Sequence, residues 1–444
     1  MNQPTADYIA QHANDDVRQL ALRGSSDPAV NLPWALDQIA GRQTACRKLP
    51  SWAAVDGIVY PPHLSMEQCS SQQTARYKQQ IIGSLLEVST IADLTGGFGV
   101  DFSFLAQRTK RAVYVERQEH LCAIARHNFK LLGLQQAEVV CAEAKDYLRQ
   151  MSAVDLIYID PARRDSHGAR TYAISQCTPD VLSLLPLLLT KSRYLLLKLS
   201  PMLDWHKAVS DLGSHLVSQV HIVSVQNECK ELLIVMQERA SLAGSNSKRA
   251  EGEEVRDGSV NCVNLQNDGS AQYFSYSLAS PPIQPASIAP LTLNAPLPSR
   301  HLFEPNASIM KAGCFAELAH RYGLAPLAPN SHLFVTAGSH GSPFPSKSAS
   351  GISTEARSAI AFPGRVFTIE AVTTLNKREL KTTLGGIAQA NISARNFPIS
   401  VADLRRRLKL SEGGNTYIFA TTLAHGEKVL LICKKAFALL SPYD

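Results

Sequence analysis

The sequence predicts an α/β fold: a mostly parallel, doubly wound sheet closed by an antiparallel hairpin, with a helical region before it and a compact α+β module after it. Three observations carry that reading. From Thr90 to Glu238 short β-rich runs alternate with helical ones, which implies a parallel sheet covered on both faces. The last two β-rich runs are separated only by Asn227, Glu228, Cys229 and Lys230, too few residues for a parallel crossover, so they pair antiparallel. The stretch Phe362 to Leu440 reads strand, helix, strand, helix, strand, strand, which places two helices on one face of a small sheet.

Composition fits this frame. The chain has 444 residues, enough for two or three domains, with 45% apolar and 18% charged residues, which excludes wholesale disorder. No window of about 18 apolar residues is uninterrupted, and the first twenty residues lack an apolar signal core, so neither a membrane span nor a secretory leader is expected. Nine scattered cysteines without a C-x-x-C pair point to reduced thiols and a cytoplasmic location. The histidines show no metal-ligand spacing, so no metal is expected. Net charge is +6, and residues 361–444 hold twelve Lys and Arg against six Asp and Glu, so the whole excess sits at this end. A basic end on a near-neutral body suggests a phosphate-bearing partner; a solvated surface is the plainer alternative.

In chain order, residues 1–85 read as a helical region, with periodic runs at Asp15–Leu22 and Met66–Leu86. Residues 86–240 form the α/β domain, with strands at Thr90–Leu94, Ala112–Glu116, Ala137–Ala142, Val154–Asp160, Tyr194–Leu199, Ser218–Gln226 and Glu231–Gln237. Residues 241–300 read as a flexible linker, because Gly, Ser, Asn and charge dominate and six prolines then crowd between Pro281 and Pro298. Residues 301–337 read as a small α+β segment with one helix from Ala307 to Tyr322, and 361–444 as the basic module.

Four strand ends carry the candidate chemistry. The run Asp93-Leu94-Thr95-Gly96-Gly97-Phe98-Gly99 places Asp93, Thr95, Gly96, Gly97 and Gly99 between a strand and a helix, where glycines let a ligand approach the backbone closely. Its spacing matches neither the dinucleotide nor the nucleoside-triphosphate pattern. Glu116 ends the next strand, 23 residues after Asp93, suited to accept from both hydroxyls of a ribose. Glu143 follows the third strand, where it would accept from an adenine amino group. Asp160-Pro161-Ala162-Arg163-Arg164 follows the fourth: Pro161 holds the rim rigid, Asp160 presents a carboxylate to an acceptor, and Arg163 offers a grip on its charged edge. Each acid alone also reads as a solvated strand-end carboxylate; the ordered series of four is what favours a ligand.

This series resembles the motifs of Rossmann-like class I S-adenosylmethionine-dependent methyltransferases. More narrowly, Asp160–Arg164, Glu67-Gln68-Cys69-Ser70-Ser71, Glu304–Gly313, Phe362-Pro363-Gly364-Arg365 and the basic end resemble bacterial methyltransferases with a C-terminal THUMP-like domain. The resemblance implies S-adenosylmethionine as cofactor, with Asp93 and Gly96–Gly99 at its methionine end, Glu116 at the ribose, Glu143 at the adenine and Asp160 facing the methyl acceptor. Base-amino methyltransferases usually carry Asp/Asn-Pro-Pro and an aromatic; here Ala162 and Arg163 stand in those places. Asp-Pro-Pro-Arg resembles the uridine C5 enzymes, which need a thiol after the next strand. That place reads Lys198-Leu199-Ser200-Pro201, and serine is a poor nucleophile without a neighbouring base, which counts against C5 chemistry unless Cys177 reaches the site. Lys198 and Lys230 at strand ends, and Ser70, Ser71, Thr74 and Lys78 on the preceding helix, are secondary candidates.

The expected function is methyl transfer to RNA, tRNA or rRNA, by direct displacement oriented by Asp160. Arg405, Arg406 and Lys409 on one helix, extended by Lys377 and Lys381, are the expected phosphate grip. A protein or small-molecule acceptor, or a non-catalytic RNA-binding role, are the alternatives.

Overall fold

The structure is a computed structural model that describes residues 2–163, 174–237, 258–279, 297, 300–336 and 362–436. The chain divides into two compact units. The first is Met1–His221 with Lys230–Gly258, and the second is Ile222–Cys229 with Ser259–Asp444.

The first unit begins with six helices, from Gln3–Gln11 to Gln72–Ser84. Several are started by side chains that accept from free backbone N–H groups: Asn2 from Thr5, Asp16 from Arg18 and Gln19, Ser71 from Thr74. The run Met66–Leu86, expected as one helix, is two (His63–Gln68 and Gln72–Ser84), because Ser71 caps a new start instead of continuing the old turn. These helices bury Ala45, Leu49, Trp52, Tyr60 and Met66 against Phe98, Val100 and Phe104, so they pack on the glycine turn and the helix that follows it.

The strands are β1 (Thr90–Asp93), β2 (Arg111–Glu116), β3 (Ala137–Cys141), β4 (Val154–Ile159), the two-residue pair β5 (Ala162–Arg163) and β6 (Cys177–Thr178), β7 (Ser192–Leu199), β8 (Val217–Val225) and β9 (Glu228–Gln237). Seven of these strands run side by side in the order β8-β9-β7-β4-β1-β2-β3, within a nine-stranded sheet. Pairings from β3 to β7 are parallel, and β7–β9 is antiparallel with Lys198 opposite Leu233. Apolar runs such as Leu195–Leu197 and Leu232–Met236 are buried, as expected of strands covered on both faces. Gln226 and Asn227, at φ 51° and 64°, make the tight turn between β8 and β9. The order is that of a doubly wound sheet whose β1, β2, β4 and β7 end at one edge, where such sheets bind ligands.

In the second unit, β10 (Ser259–Leu265) and β11 (Ala271–Ser277) form an antiparallel hairpin. This corrects the expected linker over residues 258–279; the rest of 241–300, apart from 297 and 300, lies outside the described residues. Val260, Cys262, Val263, Leu265 and Phe274 are buried, and Asp268-Gly269 supplies the turn, a pattern that the polar average of the segment conceals. The remaining strands are β12 (His301–Pro305), β13 (Leu324–Pro326), β14 (Phe334–Thr336), β15 (Gly364–Thr373), β16 (Asn391–Arg395), β17 (Thr416–Thr422) and β18 (Lys428–Lys435). They form one seven-stranded sheet, β13-β14-β12-β15-β18-β17-β16, so 301–336 and the basic module share a sheet. The single helix expected from Ala307 to Tyr322 is two, Ala307–Ala312 and Phe315–Tyr322, separated by Gly313 in the left-handed region at φ 70°.

Candidate active site

The glycine turn is held by its neighbours. Asp93, fully buried, accepts from the Thr95 backbone N–H at 2.9 Å, and the Thr95 hydroxyl accepts from the Asp160 backbone N–H at 2.7 Å, tying the ends of β1 and β4 together. A Cβ on Gly96 would lie 2.2 Å from the Tyr114 ring, so only glycine fits there. Gly97 is different: it sits at φ 56°, and a Cβ would meet nothing nearer than 3.8 Å, so its face of the turn is open. Its carbonyl accepts from the Tyr114 hydroxyl, and its N–H donates to Glu116 at 3.0 Å. Glu116 also accepts from the Gln118 N–H at 2.9 Å, so its carboxylate is aimed by two backbone donors and retains lone pairs on both oxygens.

A cavity of about 1550 Å³ opens over this turn. Of the ten residues that the sequence assigned to cofactor and acceptor, nine line it: Asp93, Thr95, Gly96, Gly97, Gly99, Glu116, Glu143, Asp160 and Pro161. The tenth, Arg163, pairs through its backbone with Cys177 in β5–β6; its side chain, like Arg164, lies outside the described residues. Glu143 stands exposed at the start of the helix Ala144–Gln150, 3.8 Å from Arg117. Cys177, Ser70, Lys198 and Lys230 line the same cavity.

Beneath it lies a group of charges that the sequence alone does not assemble. Lys198, a secondary candidate from its place at a strand end, is mostly buried and sits 2.5 Å from Asp160 and 3.6 Å from Asp101. Lys78, also fully buried, lies 3.1 Å from Asp101 and 2.6 Å from Glu231; it does not line the cavity. Ser70 donates to Asp101 at 2.7 Å, and Tyr158 donates to it at 2.8 Å. Burial by itself would raise the Asp101 carboxyl, but Lys78 and Lys198 outweigh it and hold the group at about 2. Burial raises the Asp93 carboxyl well above the ordinary range, with Asp101, Asp160 and Glu116 adding to it. It also raises Asp160, against the pull of Lys198. The sequence does carry a signal for this group: an acid in the first turn of the helix after the glycines, a lysine at the end of β7, and another on the helix before β1.

The basic module places its two helices, Lys377–Thr383 and Val401–Leu408, over one apolar cluster, with Leu380 and Leu404 packed on the same side of the sheet. Lys377, Lys381, Arg406 and Lys409 are exposed. Two expectations change. Lys409 is not on the helix: it ends it in the left-handed region at φ 55°, so it does not share a helical face with Arg405. Arg405 is partly buried and donates to the Ala390 carbonyl at 3.2 Å. Arg406 pairs with Asp403.

Comparison with known proteins adds to this geometry. Residues 364–435 match a THUMP domain-like family model, and residues 301–345 match a ferredoxin-like domain model. A crystal structure designated a methyltransferase, from Porphyromonas gingivalis W83, is 31% identical, covers 98% of each chain and superposes with a TM-score of 0.76. Two uncharacterised S-adenosylmethionine-dependent methyltransferases, from the CDC 1551 and H37Rv strains of Mycobacterium tuberculosis, are each 26% identical over 230 residues, 51% of this chain. The match spans 60% of the length of those curated relatives.

Proposed function

Because the chain belongs to the S-adenosylmethionine-dependent methyltransferases that carry a C-terminal THUMP-like domain, we propose that it methylates RNA, a tRNA or rRNA, by direct transfer oriented by Asp160. The observation that carries the transfer is the convergence of Asp93, Glu116 and Asp160 with the open backbone of Gly97 on one cavity. The residues fit the cofactor: an unobstructed turn for its methionine end, an aimed carboxylate with free lone pairs at Glu116 for the ribose, and Glu143 for the adenine. S-adenosylmethionine, when bound, supplies a methyl group on a positively charged sulfur.

Asp160 accepts a hydrogen bond from the acceptor's N–H or O–H and takes the proton that the nucleophile loses. Pro161 fixes the chain beyond it, and the Thr95 hydroxyl fixes its backbone. Holding two reactants in line contributes as much as about 7–11 kcal/mol, so positioning suffices without a covalent intermediate. At about 1550 Å³ the cavity exceeds the roughly 300–1,000 Å³ of a single-ligand pocket, which suits an acceptor of nucleotide size beside the cofactor. The RNA reading rests on the THUMP-like match and the exposed cations of its two helices. Nine cysteines scattered along the chain without a C-x-x-C pair support a reducing, cytoplasmic setting. No helix among the described residues is long and apolar enough to cross a membrane.

The test is mass analysis of RNA nucleosides from a deletion strain against wild type. Purified protein is then given labelled S-adenosylmethionine and bulk RNA from the deletion strain. A methylated nucleoside that disappears in the deletion and returns in the tube supports the reading. Label that enters protein or small molecules but not RNA overturns the acceptor. Failure to bind S-adenosylmethionine in calorimetry overturns catalysis.

A further inference from the structure

We infer that Lys198 is a positioning residue that keeps Asp160 ionised and turned toward the cavity, and that a buried chain of alternating charge, Asp160–Lys198–Asp101–Lys78–Glu231, fixes it in that place. The inference deepens the proposed function and rests on Asp160 as the acceptor-side group.

The geometry is a ladder. Successive oppositely charged atoms lie 2.5, 3.6, 3.1 and 2.6 Å apart. The members come from β7, the ends of β4 and β9, and two helices, with sequence separations of up to 153 residues. Side-chain exposure rises along it, from 0% at Lys78 through 9% at Asp101 and 13% at Lys198 to 39% at Asp160. The charges therefore surface at one place, the carboxylate that faces the acceptor. Three acids against two lysines leave one surplus negative charge, and the open end is where water and substrate screen it.

Lys198 has two anions within reach, and their opposing pulls hold its ammonium between them. Ser70 and Tyr158 both donate to Asp101, so the inner anchor cannot turn away. Breaking a buried pair by removing one partner leaves an uncompensated charge, which is why the ladder is filled at every rung. The charged and titratable groups that bear on Asp160 are Lys198, Asp101, Lys78, Asp93 and Tyr158. Lys198 is the cation in direct contact, and a cation at that distance favours the carboxylate over the acid. A protonated Asp160 would have no capacity to take the acceptor's proton.

The test is carbon NMR on the whole protein labelled with carboxyl-¹³C aspartate, with the Asp160 signal assigned by its loss in Asp160→Asn. Lys198→Met should raise the Asp160 titration midpoint by at least one pH unit, a tenfold change in its protonation equilibrium. Lys198→Arg should restore it to within half a unit, and Lys78→Met should raise it less than Lys198→Met does. An unchanged midpoint in folded Lys198→Met overturns the inference. Should that variant not fold, Lys198→Gln takes its place in the same measurement, and an unchanged Asp160 midpoint there overturns the inference.

With bulk RNA from the deletion strain as acceptor, the acid limb of kcat in Lys198→Met should move to higher pH in step with Asp160. A fixed limb with a moved midpoint likewise overturns the positioning role. If wild-type protein leaves RNA unmethylated, the acceptor reading fails, while the NMR result still decides the role of Lys198.

Discussion

Glu116 spends one lone pair of each carboxylate oxygen on a backbone N–H, from Gly97 and Gln118. What remains is directed at the cavity, so the residue works as an aimed acceptor and not as a diffuse charge. Glu116→Ala should weaken S-adenosylmethionine binding by about 1.5–3 kcal/mol, roughly ten- to 150-fold, as hydrogen bonds to a charged acceptor generally do. Calorimetry on the folded variant checks this, and unchanged affinity removes the ribose assignment. Asp160→Asn should abolish transfer while cofactor affinity stays within a few-fold, because the amide keeps the shape but cannot take a proton. Turnover within a few-fold of wild type would make Asp160 structural. Cys177 shares the cavity with Asp160, as does Cys69, which reopens covalent C5 chemistry for this chain. Direct displacement predicts that Cys177→Ser keeps transfer within a few-fold. Loss by orders of magnitude, together with a C5-methylated product, would replace direct displacement with thiol addition.

Among elements, the union of the helix Gln72–Ser84 with β8 turns on His221. Its ring lies buried with the Tyr77 hydroxyl 2.8 Å from Nδ1 and the Gln219 amide oxygen 2.9 Å from Nε2, contacts that satisfy a neutral ring. Burial holds it down at about 3, against 6.5 when free. The unfolded chain thus takes up a proton first as pH falls, so stability is complete above about 6.5 and drains away toward 3. Urea unfolding of wild type should lose up to about 1.4 kcal/mol per pH unit below 6.5 that His221→Phe does not lose; equal slopes would refute this. Much at this scale was legible in the sequence. The strand ends Asp93, Glu116 and Asp160 follow from apolar runs that stop abruptly at an acid, and the β8–β9 hairpin follows from a link too short for anything else. The Asp160–Lys198 pair was not legible, because it joins residues 38 apart that meet only when β4 and β7 align. Nor was the β10–β11 hairpin, whose apolar positions are flanked on both sides by polar, Gly- and Ser-rich stretches. The placement of Lys409 turns on a single dihedral that no periodicity encodes.

For the molecule as a whole, the charge excess is the property to test. The triple substitution should spare Arg405, whose bond to the Ala390 carbonyl supports the fold, and take Arg406, Lys409 and Lys381 to Gln. Folding and cofactor binding should be unchanged. RNA affinity should drop, and its log-salt slope should flatten by about 0.7–0.9 for each phosphate that the variant no longer neutralises. A slope equal to wild type would place the RNA grip elsewhere. The shared seven-stranded sheet bears on where the module can be cut as well. β15 opens the THUMP-like segment, yet its partners are β18 on one side and β12, from before that segment, on the other. A gene that acquired residues 362–436 alone would inherit β15 as a bare ten-residue edge, with the apolar cluster of Leu302, Leu333 and Val335 missing from its face. The unit that folds is therefore larger than the matched family segment, because β12 closes the edge that β15 would otherwise leave bare.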